Sequence, residues 1–132
     1  QMSYLLGLTM SALARYHQIT GDPEVLEAIT IGLDQIIRTC WNEAHQTFHA
    51  SPCLHQKHQI PAAYCPTTFL SSLAFAHDIE QTGNKEHLRI FRAALTTALT
   101  EGVKQPDQSG GQAAYASRAF HFTPHGLRLL ED

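Results

Sequence analysis

The sequence predicts an all-α protein built from antiparallel helical hairpins, with about four to five helices, and two observations support that prediction. Apolar residues recur at helical spacing over most of the chain. In addition, residues 20–26 (Thr-Gly-Asp-Pro-Glu-Val-Leu) return as residues 82–88 (Thr-Gly-Asn-Lys-Glu-His-Leu), 62 positions later. A fixed long period is typical of stacked units that cannot bury their apolar faces alone. We therefore expect a single helical domain over residues 1–132.

The first hairpin is predicted over residues 3–41. Its first helix carries an apolar series with helical spacing, widened by neighbouring apolar residues: Leu5, Leu8, Ala12, Tyr16 and Ile19, with Leu6, Met10 and Leu13 beside them. Gly21 is typical of the position after a helix, and Asp22 with Pro23 is typical of a helix start. The second helix runs to about Trp41, with the stripe Leu26, Ile29, Leu33, Ile36, Ile37 and Cys40. The short turn makes the two helices antiparallel.

The second hairpin is predicted over residues 66–101. Pro66 can open a helix that continues to about Gln81, and Gly83 with Asn84 forms the turn. The returning helix has apolar residues at helical spacing, namely Leu88, Phe91, Leu95 and Leu99. A loop over residues 105–112 follows, and a short C-terminal helical segment over residues 113–130, broken at Pro124, completes the chain.

Acidic residues offer no clear catalytic pair. Standard glycoside hydrolysis needs two carboxyl groups that flank the substrate. One acidic cluster lies at a helix start, where the helix dipole stabilises negative charge: Asp22, Glu24 and Glu27. We expect three further helical acids to be solvated: Asp34, Asp78 and Glu80.

Charge and composition exclude several classes of partner. The net charge is -3 with neutral histidines, and no cluster of Lys and Arg is present, so we expect no nucleic-acid partner. The apolar stretches are shorter than a membrane span, so we expect no membrane partner. Three cysteines, an odd count, fit a reducing compartment and favour a cytoplasmic location. We also expect no cofactor.

The connection between the hairpins, residues 42–65, is the segment most indicative of function. It is long, lacks periodicity and is rich in histidine, and such loops are usually functional or disordered. His49, His58 and Tyr64 are candidates for substrate binding or acid–base chemistry, because imidazole titrates near neutral pH. The favoured alternative is that they only hydrogen-bond within the loop. Tyr115 is a further substrate-binding candidate, because its segment has no repeat partner.

The same loop contains residues of the types that bind zinc. These are Cys53, His55, His58 and Cys65. Thiolate and imidazole ligands suit a tetrahedral zinc ion. The separation of Cys53 and His55 by one residue departs from the usual zinc spacing, and a histidine-rich surface loop without metal is the favoured alternative. Trp41 and Phe48 are expected to pack against each other beneath this loop.

One set of residues resembles a hairpin of the α/α-toroid, or six-hairpin, superfamily: Ala14, Thr20 to Pro23, Leu26, Ala28, Trp41 with Asn42, and Phe48. That superfamily includes glycoside hydrolases, polysaccharide lyases and sugar epimerases. The resemblance spans residues 3–101 and implies a carbohydrate substrate. About six hairpins close such a toroid, whereas two are visible here. The resemblance therefore implies that this chain is a C-terminal segment of a longer enzyme, with further residues before Gln1. By itself, such a segment lacks a complete active site. It assigns no catalytic residue.

A free-standing helical binding or scaffold module is the alternative. Apolar residues surround nearly the whole of the first helix, including Leu5, Leu6, Met10 and Leu13. Exposed apolar surface of this kind predicts docking or dimerisation. We accordingly expect either a homo-oligomer or contact with the rest of a longer chain.

Overall fold

The computed structural model describes residues 3–49, 65–101 and 122–131, and within these ranges it confirms the all-α class. The helices are α1 (Ser3–Thr20), α2 (Pro23–Cys40), α3 (Pro66–Leu70), α4 (Ser72–Thr82), α5 (Lys85–Thr100) and α6 (Thr123–Leu127), followed by a 3-10 turn (Arg128–Leu130). A two-stranded antiparallel ribbon, β1 (Trp41–Asn42) and β2 (Thr47–Phe48), follows α2. No helix in the ranges just given is long and apolar enough to cross a membrane.

The two interhelical turns have the same structure, which makes the sequence repeat a structural repeat. Gly21 and Gly83 adopt φ angles of 65° and 68°, a conformation that favours glycine. The side chain of Asp22 accepts a hydrogen bond from the Glu24 N–H at 3.0 Å. Asn84 accepts one from the His87 N–H, also at 3.0 Å. The predicted helix ends and N-caps are therefore confirmed.

The first helix of the second hairpin is interrupted at Ser71, although the sequence predicted one helix to about Gln81. The Ser71 Oγ donates to the Thr67 carbonyl at 2.6 Å, and the Ser72 Oγ donates to the Thr68 carbonyl at 2.9 Å. Side-chain bonds of this kind compete with the backbone ladder and bend helices.

The structure also describes parts of two irregular segments. The first part of the predicted loop 42–65 is regular, because β1 and β2 pair with Trp41 opposite Phe48. The two rings meet edge to face with centroids 5.1 Å apart, which confirms the predicted packing. Pro124 lies in the first turn of α6. Residues 113–121 of the predicted C-terminal segment lie outside the described residues, so the predicted break at Pro124 stays a prediction.

A stack of phenylalanines forms the centre of the core. Phe75 lies between Phe91 and Phe48, at centroid distances of 4.9 and 6.3 Å. Around it pack Ile29, Leu33, Ile36, Ile90 and Leu95 of α2 and α5, all fully or almost fully buried. Burial of these side chains supplies the main stabilisation of the fold. Ile90 was not part of the predicted stripe, and Leu99, which was, is 38% exposed.

Helix α1 turns an unexpected face to the core. Its buried residues are small or polar: Ser3, Gly7, Ser11, Ala14 and His17. A Cβ atom on Gly7 would lie 3.1 Å from the Cβ of Ser71, so α1 approaches the second hairpin closely. The predicted apolar series instead faces outward, with Leu5, Leu8, Ala12, Tyr16 and Ile19 all exposed. The helical period was predicted correctly, but small residues are what this close approach requires.

Helices α1, α4 and α6 form a row in which α4 lies in the middle. α1 packs against both α3 and α4, and α6 packs against α4. Ala76 and Ile79 of α4 line a shared surface with Arg128 and Leu129 of the C-terminal turn. Because α4 also packs against α2 and α5, it is surrounded by four helices, which explains why all its residues from Ser72 to Asp78 are buried.

Candidate functional site

The first polar cluster lies where α1 and α3 begin, next to the segment 50–64. The Ser3 Oγ donates to the His49 carbonyl at 2.8 Å and lies 2.5 Å from the Thr67 Oγ1. The His49 N–H donates to the Cys40 carbonyl at 2.6 Å. Backbone and hydroxyl bonds therefore fix His49 at the junction of the two hairpins.

His49, predicted as a substrate-binding residue, is buried, with 4% of its surface exposed. Its Nε2 lies 3.1 Å from the Asn42 Nδ2, an amide that can only donate, so Nε2 accepts and Nδ1 carries the proton. That Nδ1 has no hydrogen-bond partner within the described residues. Burial, followed by the nearby His45, lowers the pKa of His49, so the ring is a neutral donor.

Cys65 is the one predicted zinc ligand that the described residues include, and it is a free, buried thiol. Cys65 and Cys40 are both buried, and burial raises the pKa of both thiols. Zinc ligation requires a thiolate. Within the described ranges, no group of three His, Cys, Asp or Glu residues could hold a metal ion. The other predicted site residues lie outside the described part of the chain: Cys53, His55, His58, Tyr64 and Tyr115.

The second cluster, which we call the clamp, consists of Asp34, Asp78, His87 and Thr30. The His87 Nδ1 lies 2.6 Å from the Asp78 Oδ2, and the His87 Nε2 lies 2.7 Å from the Asp34 Oδ1. Because both ring nitrogens face carboxylates, both donate, and the ring is an imidazolium. Burial lowers the pKa of His87, but hydrogen bonds to Asp78 and Asp34 outweigh that effect and raise it.

The expectation that Asp78 is solvated was wrong, because Asp78 is fully buried. Its second oxygen accepts a hydrogen bond from the Thr30 Oγ1 at 2.5 Å. Asp78 follows Phe75 by three residues and therefore lies on the buried face of α4, and His87 precedes Phe91 by four. Helical spacing was the signal that would have located the clamp, which ties α2, α4 and α5 together.

The third cluster joins α1 to α4 and was not anticipated from the sequence. The His17 Nδ1 lies 2.7 Å from the His77 Nε2, and both rings are largely buried. A cleft of about 340 Å³ opens beside them, lined by His17, Gln18, His77, Glu80 and Gln81. One imidazole accepts the hydrogen bond, so at least one of the two is neutral.

The three clusters connect helices and do not form a pair of open catalytic carboxyl groups. Asp78 is buried, and several exposed acids of the described residues are bound to arginines. Arg89 pairs with Glu43 and with Glu86, at 2.8 Å in each case. Arg128 pairs with Glu80 at 2.9 Å.

No protein-family model, no curated protein and no solved structure matches this chain. The resemblance to the α/α toroids therefore rests on the sequence motif around Thr20 to Pro23 and remains a prediction.

Proposed function

We propose that this chain is a two-hairpin unit of a larger α/α helical array, in which a further helical hairpin covers the outward face of α1. We call the exposed stripe Leu5, Leu8, Ala12 and Tyr16 the open face. The observation that supports the proposal is a difference between positions 62 residues apart. Each open-face residue is exposed, and its counterpart in the second hairpin is buried: Thr67, Leu70, Ala74 and Asp78.

The interface that buries those counterparts is the packing of the first hairpin on the second. Three polar contacts follow its length, and they join Ser3 to Thr67, Ser11 to the Leu70 carbonyl at 2.6 Å, and His17 to His77. In a repeating array, the face that one unit presents to its predecessor is used again by the next. The open face of α1 is the repeat equivalent of the α3–α4 surface that α1 covers.

The equivalence of the open face and the α3–α4 surface also indicates what kind of helix covers the open face. Helix α1 covers the second hairpin with small residues that permit close approach, such as Gly7 against Ser71. The open face offers two leucines and a tyrosine, so it fits a helix with a similarly small-residue face. We assign that helix to a hairpin of the same repeat type. In the isolated chain, a second copy is the occupant that can take its place.

The sequence resemblance supports a carbohydrate-active enzyme of the α/α-toroid type as the complete array. In that reading, this unit supplies one wall of the substrate cleft together with residues 43–65. His49 lies at the edge of that segment and is buried, so in this proposal it holds the wall in place beside the cleft. A hydrolase, a lyase and an epimerase all remain open as the reaction type.

The coding sequence upstream of Gln1 tests this proposal. We expect further hairpins with Gly-Asp or Gly-Asn turns in the same frame. The protein expressed from the whole frame should act on neutral or uronate-containing polysaccharides, measured as released reducing ends or as ultraviolet absorbance of an unsaturated product. A start codon within a few residues of Gln1 would contradict a closed single-chain toroid.

A free-standing module that self-associates is the second candidate, and Ile19 favours it. This side chain is 85% exposed, beyond the open face, and its counterpart Gln81 is exposed too, so the repeat does not explain it. An apolar residue left in water at this end of α1 fits an interface between copies. The oligomeric state of the expressed chain separates this candidate from a strict monomer.

A further inference from the structure

We infer that the contact between α1 and α4 is a pH-dependent seam, which acidification opens at His17 and His77 while the clamp holds α2, α4 and α5 together. The role proposed for α1 and α4 in a helical array involves no response to pH. The inference does not depend on what covers the open face, because the two imidazoles lie on the opposite, buried side of α1.

The geometry of the His17–His77 pair is incompatible with protonation of both rings. A hydrogen bond of 2.7 Å between two imidazole nitrogens needs one ring to be neutral and to accept. When both rings are protonated, two donors and two positive charges face each other at that distance. Like charges this close, and largely removed from water, repel strongly, so the rings must separate.

Surrounding charges moderate this repulsion without cancelling it. On α4 itself, Asp78 and Glu80 are the nearest acids, and they favour protonation of His77. Asp78 is engaged by His87, and Glu80 is engaged by Arg128 of the C-terminal turn. On the far side of the clamp lies Asp34 of α2, which is also bound to His87. The other ionisable groups of the described C-terminal segment, which packs on α4, are His125 and Glu131.

These neighbours, together with burial, determine the direction in which the pKa of His77 is shifted. Burial, and then His17, lowers the pKa of His77 below the usual 6.5, against the smaller opposing effects of Glu80 and Asp78. A base with a lowered pKa in the folded state stabilises that state at high pH. This contribution to the free energy of unfolding is present above about pH 6.5 and is lost as the pH falls toward the lowered pKa of His77.

The clamp responds in the opposite direction. His87 already carries its proton between two carboxylates, so acidification adds no proton to its ring and leaves both hydrogen bonds in place. His77 and Asp78 are consecutive residues, so two adjacent positions of α4 carry contacts of opposite pH dependence. Acid therefore loosens the seam while the helices joined by the clamp stay in place.

The opening is expected at the end of α1 that carries His17. At the other end, where α1 meets α3, the His49 Nε2 bonds to Asn42 and not to either helix. The hydrogen bonds that join Ser3 to Thr67 and Ser11 to Leu70 contain no group that titrates near neutral pH, so they persist. The His17–His77 end lies close to the Gly21 and Gly83 turns, where the 340 Å³ cleft is found. Separation of the rings widens that cleft and frees the last turn of α1.

Amide hydrogen exchange, corrected for intrinsic rates and followed by mass spectrometry between about pH 7.5 and about pH 5, tests the seam. We expect exchange in residues 15–20 to accelerate by up to about tenfold for each pH unit between the ordinary and the lowered pKa, since one proton is taken up on opening. Peptides from residues 28–37, which include Thr30 and Asp34 of the clamp, should keep their protection. In His77→Gln, which retains an acceptor for His17, the acceleration should disappear. His45→Gln, which removes an exposed histidine, should leave it unchanged.

The inference is overturned if residues 15–20 show no acceleration in the wild-type chain, or if His77→Gln shows the same acceleration. Should His77→Gln fail to fold, proton NMR titration of the wild-type histidines decides. Titration of His77 below the ordinary histidine value of 6.5 supports the seam. Titration of His77 at or above that value contradicts it.

Discussion

Leu8 and Leu70 occupy equivalent positions in the two hairpins, 62 residues apart, yet Leu8 is 39% exposed and Leu70 is 6% exposed. The same residue type in the same helical position therefore has two environments. The difference arises because the first hairpin covers the second, whereas none of the described residues covers the open face of α1. In the proposed array, the open face is the side that a further hairpin covers.

This asymmetry predicts unequal costs of truncation. Leu70→Ala should destabilise the fold by about 2–5 kcal/mol, because it leaves a cavity in a packed interface. Leu8→Ala should cost less than about 0.5 kcal/mol, because the side chain contributes little to the isolated chain. Urea unfolding at dilute concentration measures both. Equal costs at the two positions would show that the exposure difference does not reflect packing.

The clamp predicts that Asp78 is the acid on which the fold depends most. Asp78→Ala leaves His87 as a buried cation with one partner, and we expect a loss of about 3–5 kcal/mol. Asp34→Ala, at the half-exposed end of the clamp, should cost about 1 kcal/mol or less. The free energy of unfolding of the two variants is the measurement, and a larger loss for Asp34→Ala would reverse the assigned roles.

The raised pKa of His87 predicts that stability declines on the alkaline side. The contribution of the clamp is complete below the ordinary histidine value of 6.5 and is lost as the pH rises through the raised value. The slope should not exceed about 1.4 kcal/mol per pH unit for one proton. Urea unfolding from about pH 6 to pH 9 should show this slope in the wild type and not in His87→Gln. A persistent slope in the variant would assign it to another group.

The buried thiols predict slow chemistry at Cys40 and Cys65. In a Cys53→Ser variant, which removes the thiol outside the described residues, both remaining cysteines should react with a disulfide reagent more than about tenfold slower in the native state than in urea. Burial is the reason, because it raises both pKa values and blocks access. Rapid reaction of either thiol in the native state would contradict the buried environment, and at Cys65 it would favour a role as a metal ligand.

Much of the fold was predictable from the sequence because the turns carry a local signal. Gly21 and Gly83 need a left-handed conformation, and Asp22 and Asn84 cap the next helix, so each residue type alone indicates its position. The break at Ser71 was not predictable in the same way. It depends on serine and threonine hydroxyls that bond to carbonyls one turn earlier, and in other contexts those residues continue a helix.

The polar clusters were harder to predict, because residue type and helical position gave conflicting indications. Asp78 lies at core spacing, but an aspartate there suggested solvent exposure until His87 was known to face it. The outward turn of α1 was missed for a related reason. Leu5 and Leu8 form the stronger apolar stripe, whereas Ser3 and Ser11 are buried only because partners in the second hairpin satisfy their hydroxyls.

Sedimentation velocity over a range of concentrations tests the open face most directly. We predict that the wild-type chain self-associates reversibly, and that Leu8→Glu, which places a charge on the open face, makes it monomeric. Ile31→Glu on α2 is the matched control, because Ile31 is 60% exposed but lies outside the open face, and it should associate as the wild type does. A wild-type chain that stays monomeric at every concentration, or an Ile31→Glu variant that dissociates as fully as Leu8→Glu, would contradict the assignment of this face to a second helical hairpin.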